Sequence, residues 1–282
     1  MTQRVTAQTK APRRHDSGRL NMQKRTTIRD IQKKAAEGTK ISMVTAYDAY
    51  SARLVEAAGI DMALVGDSVG TTVQGRQDTL AVEMSDMLYH TEIVGRSTER
   101  LLIVGDMPFG SYQVNEDEAV HNAVAFLKAG AHAVKLEGGA SVLSLIERLH
   151  DAGIPVMGHL GYTPQSVNVT SGPRVNKSRD ELMEDAESLK DAGVFALVLE
   201  LVPAAIAQEI TKAIGIPTIG IGAGPHTSGQ VLVFHDMLGF NPDFAPKFLK
   251  RYASFYETAL AALKQYKTEV EGGQYPGADQ SY

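Results

Sequence analysis

Between residues 41 and 239 the chain repeats one pattern: a short apolar run, a turn, then a helical stretch. The runs are ISMVTAYD (41–48), MALVGDS (62–68), LLIVGDMPF (101–109), AVKLEGG (133–139), PVMGHLG (155–161), ALVLELVP (196–203), PTIGIGAG (217–224) and QVLVFHDMLG (230–239). They do not alternate apolar with polar residues, as the strands of a half-exposed sheet would. Continuous apolar runs mark strands buried on both faces, which is the habit of parallel sheets. Helices are predicted near 51–58, 85–98, 116–128, 142–151, 180–191 and 204–213, several stopped by a glycine such as Gly59, Gly130, Gly153 or Gly193. A further helix is predicted over Thr26–Glu37, before the first run, and another over Phe244–Tyr266, after the last. Alternation of this kind over about 250 residues predicts a (β/α)8 TIM barrel with an added N-terminal helix. The competing layout, an open doubly wound sheet, usually carries a glycine fingerprint after its first strand. Here that strand ends in TAYD, which favours the barrel. No linker divides the chain, so residues 26–282 read as one domain and 1–25, polar and basic, as a disordered tail.

Composition narrows the functional classes. The net charge of −5 gives no basic excess for nucleic acid, and with no tryptophan and 6% aromatics a base-stacking platform is not expected. No apolar run is long enough to span a bilayer, and the N-terminus lacks the apolar centre of a secretory signal. The absence of cysteine excludes disulfides, thiolate metal sites and a cysteine nucleophile, and fits a reducing cytoplasm.

In such a barrel the chemistry sits at the carboxyl ends of the strands. Those ends carry Tyr47 and Asp48; Asp67 and Ser68; Asp106; Lys135 and Glu137; His159; and Glu200. Lys135 and Glu137 are two residues apart, so a cation and a carboxylate share one strand face. A lone acid after a strand serves as a helix cap, the plain reading of Asp48. Asp67, Asp106 and Glu137 are different. Three carboxylates at the ends of adjacent strands repel unless a cation sits among them. Hard oxygen donors suit Mg2+ rather than zinc. Lys135 then either offsets an anionic substrate or acts as a Schiff-base amine. The surrounding carboxylates would keep it protonated, which argues against the nucleophile. His159 reads equally as a satisfied core histidine or a substrate contact. Glu200, across the ring from strand 2, is placed to act as a general base or acid. The Gly220–Gly224 run is explained as well by close backbone approach as by a phosphate cradle. His226 and His235 read as incidental.

The motifs VTAYD (44–48), VGDS (65–68), DMPF (106–109), VKLEGG (134–139), GHLGYTPQSVN (158–168), LELVP (199–203) and IGIGAG (219–224) resemble, in order and spacing, the ketopantoate hydroxymethyltransferase family. The resemblance runs from Thr26 almost to the C-terminus. It implies a barrel of the phosphoenolpyruvate/pyruvate-binding superfamily type, assembled as a homo-oligomer, usually a decamer. By resemblance the metal-associated carboxylates are Asp67, Asp106 and Glu137, and the oxo acid contacts are Asp67, Ser68, Asp106 and Lys135. The proposed proton acceptor falls on Glu200 and the family's histidine on His159. The chain departs from the family pattern at Thr170–Arg179 and at Ala278–Tyr282.

The resemblance implies transfer of a one-carbon unit from 5,10-methylenetetrahydrofolate to 3-methyl-2-oxobutanoate, giving 2-dehydropantoate for pantothenate biosynthesis. A 2-oxo acid that chelates Mg2+ has its C3 proton acidified and its enolate stabilised, with Glu200 as the candidate base. The alternatives are a Mg2+-dependent C–C lyase on a larger 2-oxo or 2-hydroxy acid, a Schiff-base aldolase using Lys135, and a ring-forming scaffold without chemistry.

Overall fold

Thr27 accepts a hydrogen bond from the backbone of Asp30, whose carboxylate answers to the Thr27 N–H, and this box starts helix α1 (Ile28–Ala36). The computed structural model describes residues 24–170 and 178–282. The expected tail therefore lies outside the described residues except for Lys24 and Arg25, as does most of the 170–179 departure.

The chain then runs β1 (Ile41–Thr45), α2 (Ala49–Ala57), β2 (Met62–Val65), α3 (Val69–Thr72), α4 (Met84–Ser97), β3 (Leu102–Asp106), α5 (Glu116–Ala129), β4 (Ala133–Lys135) and α6 (Leu143–Asp151). It continues with β5 (Val156–Gly161), α7 (Val167–Thr170), α8 (Arg179–Asp191), β6 (Ala196–Glu200), α9 (Ala204–Ile214), β7 (Thr218–Ile221), β8 (Gly229–Leu232), α10 (Phe234–Met237) and α11 (Phe255–Glu271). Each strand pairs in parallel with the next, and β8 pairs with β1, closing an eight-stranded barrel. Local sequence sets the helix starts: Asp48 caps α2, Asn115 caps α5 and Ser178 caps α8. Asp48 is thus a cap, its carboxylate accepting from the Tyr50 and Ser51 N–H groups at 2.7 and 3.0 Å.

Strand alternation sorts the core into two layers. Met43, Met62, Leu64, Leu102, Val104, Ala133, Met157, Ala196, Val198 and Ile219 fill the barrel interior, and Ile31 of α1 joins them. Lys34 of α1 pairs with Asp61, and the Thr26 N–H donates to the Arg100 carbonyl. Asp61 and Arg100 precede β2 and β3, so α1 covers the amino end of the barrel. Val65, Ile103, Val134, Val156 and Leu197 face outward into a second layer under the helices. The interior register continues toward the carboxyl ends. Asp106 follows Val104, Lys135 follows Ala133, His159 follows Met157 and Glu200 follows Val198, each two residues on. The same alternation that buries the core therefore aims these four side chains into the barrel mouth.

The alternation is interrupted once, and one predicted helix starts late, each for a local reason. No helix separates β7 from β8. The link turns back at Gly222 and Gly224, with φ of +65° and +79°. A Cβ on Gly222 would sit 2.6 Å from Leu201, and one on Gly224 2.5 Å from Ala204, so the glycine run serves close backbone approach. The helix predicted over Phe244–Tyr266 begins only at Phe255. Pro246 removes a donor and biases Ala245 away from helical geometry. Arg251 Nη2 instead holds the loop by donating to the carbonyls of Asn241, Pro242 and Phe244 at 3.0, 2.8 and 2.9 Å. No residue of α11 is buried, and Phe255, Tyr256, Leu260, Leu263, Tyr266 and Val270 stand exposed. Among the described residues no helix is long and apolar enough to cross a membrane.

Candidate active site

Asp106 and Lys135 are direct neighbours in the β3–β4 register, and their side chains meet at 2.7 Å. Lys135 Nζ also lies 3.9 Å from Glu137 Oε1 and 3.3 Å from His159 Nδ1. His159 Nδ1 is 3.4 Å from Glu137 Oε1, and its Nε2 is 3.3 Å from Glu200 Oε2. Asp67 joins from the β2 end: its N–H donates to Asp106 Oδ2 at 3.1 Å. Asp67, Asp106, Lys135, Glu137 and His159 are all at most 6% exposed. The structure thus brings together every strand-end residue singled out above for chemistry except Ser68, which stands at the edge. Its Oγ lies 2.7 Å from the hydroxyl of buried Tyr47.

The electrostatics follow from this packing. Burial raises the carboxyl of Asp67 well above its usual range, and the charges of Asp106 and Glu137 raise it further. Burial also raises Asp106, against the pull of Lys135. Burial opposes the charge on Lys135, but Asp106, Glu137 and Asp67 outweigh it and hold the ammonium protonated. For Glu137 burial is outweighed by the hydrogen bond and charge of His159, so its carboxyl is lowered. Burial and Lys135 pull His159 down, yet its bonds to Glu137 and Glu200 raise it to about 9. Asp67, Asp106, Glu137 and Glu200 thus share two cations, Lys135 and His159, and with all four ionised the cluster would carry two excess negative charges. Such an excess is stable only with protons or a cation to offset it.

Asp106 Oδ1, Glu137 Oε1 and His159 Nε2 are buried and held by charge contacts, to Lys135, to Lys135 and His159, and to Glu200, rather than by well-angled hydrogen bonds. The carboxylate oxygens fit a hard divalent cation. Among the described residues no three Asp, Glu or His side chains converge on one point as ligands. One or two of these carboxylates, with substrate and water oxygens filling the rest, would suffice for such a cation.

Above the cluster lies a cavity of about 690 Å3 that takes in Ser68, Tyr162, Glu200, His235 and Phe240. Ser68 on the β2 side and Glu200 on the β6 side face it together. Asp236 also lines it, and burial raises its carboxyl to about 6. A second cavity, about 430 Å3, reaches Glu137 from the side of the β3–α5 loop.

Two residues to which the sequence pattern assigns no role belong to this site. Gln165 and Tyr112 are 5% and 6% exposed; Gln165 bridges the Glu137 and Asp67 carboxylates, and the Tyr112 hydroxyl accepts from the Glu137 N–H. Gln165 stands inside the GHLGYTPQSVN motif, so a polar side chain after a Pro in a strand-end loop was the available signal. Tyr112 gave none. The link from His159 to Glu200 was also unforeseen, although their strands pair directly, with His159 opposite Val198 and Gly161 opposite Glu200.

The closed parallel (β/α)8 barrel has the fold of solved proteins of the PEP mutase/isocitrate lyase superfamily. Similar solved folds are a 2,3-dimethylmalate lyase of that superfamily (TM-score 0.57, 16% identity, 90% of each chain covered) and a phosphonopyruvate hydrolase in complex with oxalate and Mg2+ (TM-score 0.59, 13% identity, 89% of each). At those identities the likeness is one of fold. Residues 25–278 match the family model described as ketopantoate hydroxymethyltransferase. Relatives named 3-methyl-2-oxobutanoate hydroxymethyltransferase come from Ignicoccus hospitalis (53% identical, 90% of this chain and 98% of the relative) and Kosmotoga olearia (52%, 85% and 91%). The chain belongs to the ketopantoate hydroxymethyltransferase family and is a transferase.

Proposed function

We propose that the protein transfers a hydroxymethyl group from 5,10-methylenetetrahydrofolate to 3-methyl-2-oxobutanoate, giving 2-dehydropantoate, as a step of pantothenate biosynthesis in the cytoplasm. The observation that carries this reading is the buried ammonium of Lys135, set among Asp106, Glu137 and His159 at the barrel mouth. It suits the carboxylate of a small 2-oxo acid.

Asp67, Asp106 and Glu137 are the residues that would hold Mg2+, at least one of them through water. When bound, the ion supplies Lewis acidity to the oxo acid oxygens and offsets the excess negative charge. Lys135 neutralises the substrate carboxylate, and Ser68, backed by the Tyr47 hydroxyl, donates a hydrogen bond to it. Glu200 takes the C3 proton. His159 contacts the substrate on one side and sets its charge beside Glu200, with Nε2 3.3 Å from Glu200 Oε2. The 690 Å3 cavity suits the folate co-substrate: Phe240, Phe244 and Phe248 give it an aromatic wall, and Glu200 and Ser68 stand at its floor. One barrel domain, residues 26–282, carries the activity. The exposed apolar face of α11 supports a homo-oligomer, by resemblance a decamer.

The Mg2+-dependent C–C lyase reading rests on fold likeness alone and would cleave its substrate without folate. Glu200→Gln tests the assignment. It is expected to keep oxo acid and metal binding while losing about 10²–10⁴-fold of C3 proton exchange. Full exchange in the variant would remove Glu200 from the role of base.

A further inference from the structure

Gln165 sits on a single 3-10 turn (Pro164–Ser166) directly after β5, and all four hydrogen-bonding positions of its side-chain amide are used. Nε2 donates to Asp67 Oδ2 at 3.1 Å and to the Met107 carbonyl at 3.0 Å. Oε1 accepts from the Tyr112 hydroxyl at 2.8 Å and from Gln113 Nε2 at 3.2 Å. An amide has two donors and two acceptor lone pairs, so nothing is left over. A flipped amide would turn its oxygen toward a carboxylate and a carbonyl, so one orientation is fixed. The backbone N–H of the same residue donates to Glu137 Oε2 at 3.1 Å, and the Glu137 N–H donates to the Tyr112 hydroxyl at 3.1 Å. One residue therefore holds one oxygen of Asp67 and one oxygen of Glu137, from different strand ends. The partner oxygen of Glu137, Oε1, makes no well-angled hydrogen bond and faces His159 Nδ1 at 3.4 Å and Lys135 Nζ at 3.9 Å.

We infer that Gln165, braced by Tyr112, is a positioning residue: it orients the Asp67 and Glu137 carboxylates so that their other oxygens are presented to the metal and oxo acid. The inference rests on the metal site proposed above. Turn stability alone does not explain the arrangement. The turn could close through backbone bonds, whereas these bonds cross to the ends of β2, β3 and β4, reaching the Asp67 carboxylate, the Met107 carbonyl and the Glu137 carboxylate. The turn also stands between the two cavities. Gln165 lines the 430 Å3 one, and its neighbours Pro164 and Val167 line the 690 Å3 one.

The test compares wild-type full-length protein with Gln165→Met and Tyr112→Phe. Mn2+ binding is followed by EPR, kcat and KM are measured for hydroxymethyl transfer, and thermal unfolding is measured in EDTA. Loss of an outer partner of a metal ligand typically costs about 10–100-fold in metal affinity or activity. Gln165→Met is expected to weaken Mn2+ binding and lower kcat within that range, with KM for the oxo acid held within about threefold. The unfolding temperature should move by no more than a few degrees. The double variant should be no worse than the worse single one, because both cut the same chain of bonds. If Gln165→Met does not fold, Tyr112→Phe carries the test, since it removes one hydroxyl and no volume of note. Unchanged Mn2+ affinity and kcat in the folded variants, or a loss of stability alone, would overturn the inference. A wild-type enzyme that turns over without taking up Mn2+ would remove the metal from the proposed function, and the positioning role is then decided by kcat against KM.

Discussion

Replacing Lys135 by methionine removes one charge and little volume from the most enclosed part of the site. Lys135 Nζ is 2.7 Å from Asp106 Oδ1 and 3.9 Å from Glu137 Oε1, and its side chain is 4% exposed. At an effective dielectric of about 20 those separations correspond to roughly 6 and 4 kcal/mol of attraction. Desolvation of the ammonium offsets several kcal/mol of it, so the net worth of the pairing is small. Breaking it is another matter, because two carboxylates stay buried with no ammonium beside them. Removing one partner of such a pair costs about 3–5 kcal/mol. The cost depends on pH. In the variant the carboxyl of Asp106, already raised by burial, loses the neighbouring ammonium that pulls it down, while Glu137 keeps His159 beside it. A carboxyl raised on folding destabilises the protein at high pH, and the loss is recovered as pH falls through the raised value. Urea unfolding of metal-free protein at pH 8 should therefore show the deficit, and at pH 5 a smaller one. Isothermal titration should show loss of oxo acid binding in the same variant. A deficit equal at both pH values would refute the view that Lys135 offsets Asp106 and Glu137.

His159 offers a second pH test. Its folded value of about 9 exceeds the ordinary histidine value of 6.5. That stabilisation is complete below pH 6.5 and is lost as pH rises through about 9. The metal-free protein should lose stability over that window in thermal scans, and His159→Gln should flatten the dependence. On α11, Leu263→Asp with Val270→Asp is expected to dissociate the proposed homo-oligomer on a sizing column while far-UV circular dichroism keeps the barrel signal. An unchanged elution volume would take α11 out of the interface.

The barrel was legible because its strands are buried on both faces, so the apolar runs stand out without alternation. The site was legible because a charged residue at the end of such a run is costly to bury unless it is paired, metal-bound or catalytic. Asp67, Asp106, Lys135, Glu137, His159 and Glu200 all lie in one connected chain of contacts. What stayed hidden depends on elements meeting in space. Tyr112 comes from the loop after β3 and Gln165 from the turn after β5, and they meet over β4. Neither spacing nor composition encodes that. The late start of α11 was hidden because residues 244–254 carry helix-forming side chains, while Pro246 and the three carbonyl bonds of Arg251 hold them as a loop.

The central claim is that this cluster labilises the C3 proton of a 2-oxo acid with the help of a divalent cation. It is tested most directly by following 3-methyl-2-oxobutanoate in D2O by proton NMR, with wild-type protein, no folate, and either Mg2+ or EDTA. Exchange of the C3 proton with Mg2+ and its loss in EDTA is the expected result. Equal exchange in both samples, or none in either, would contradict the account.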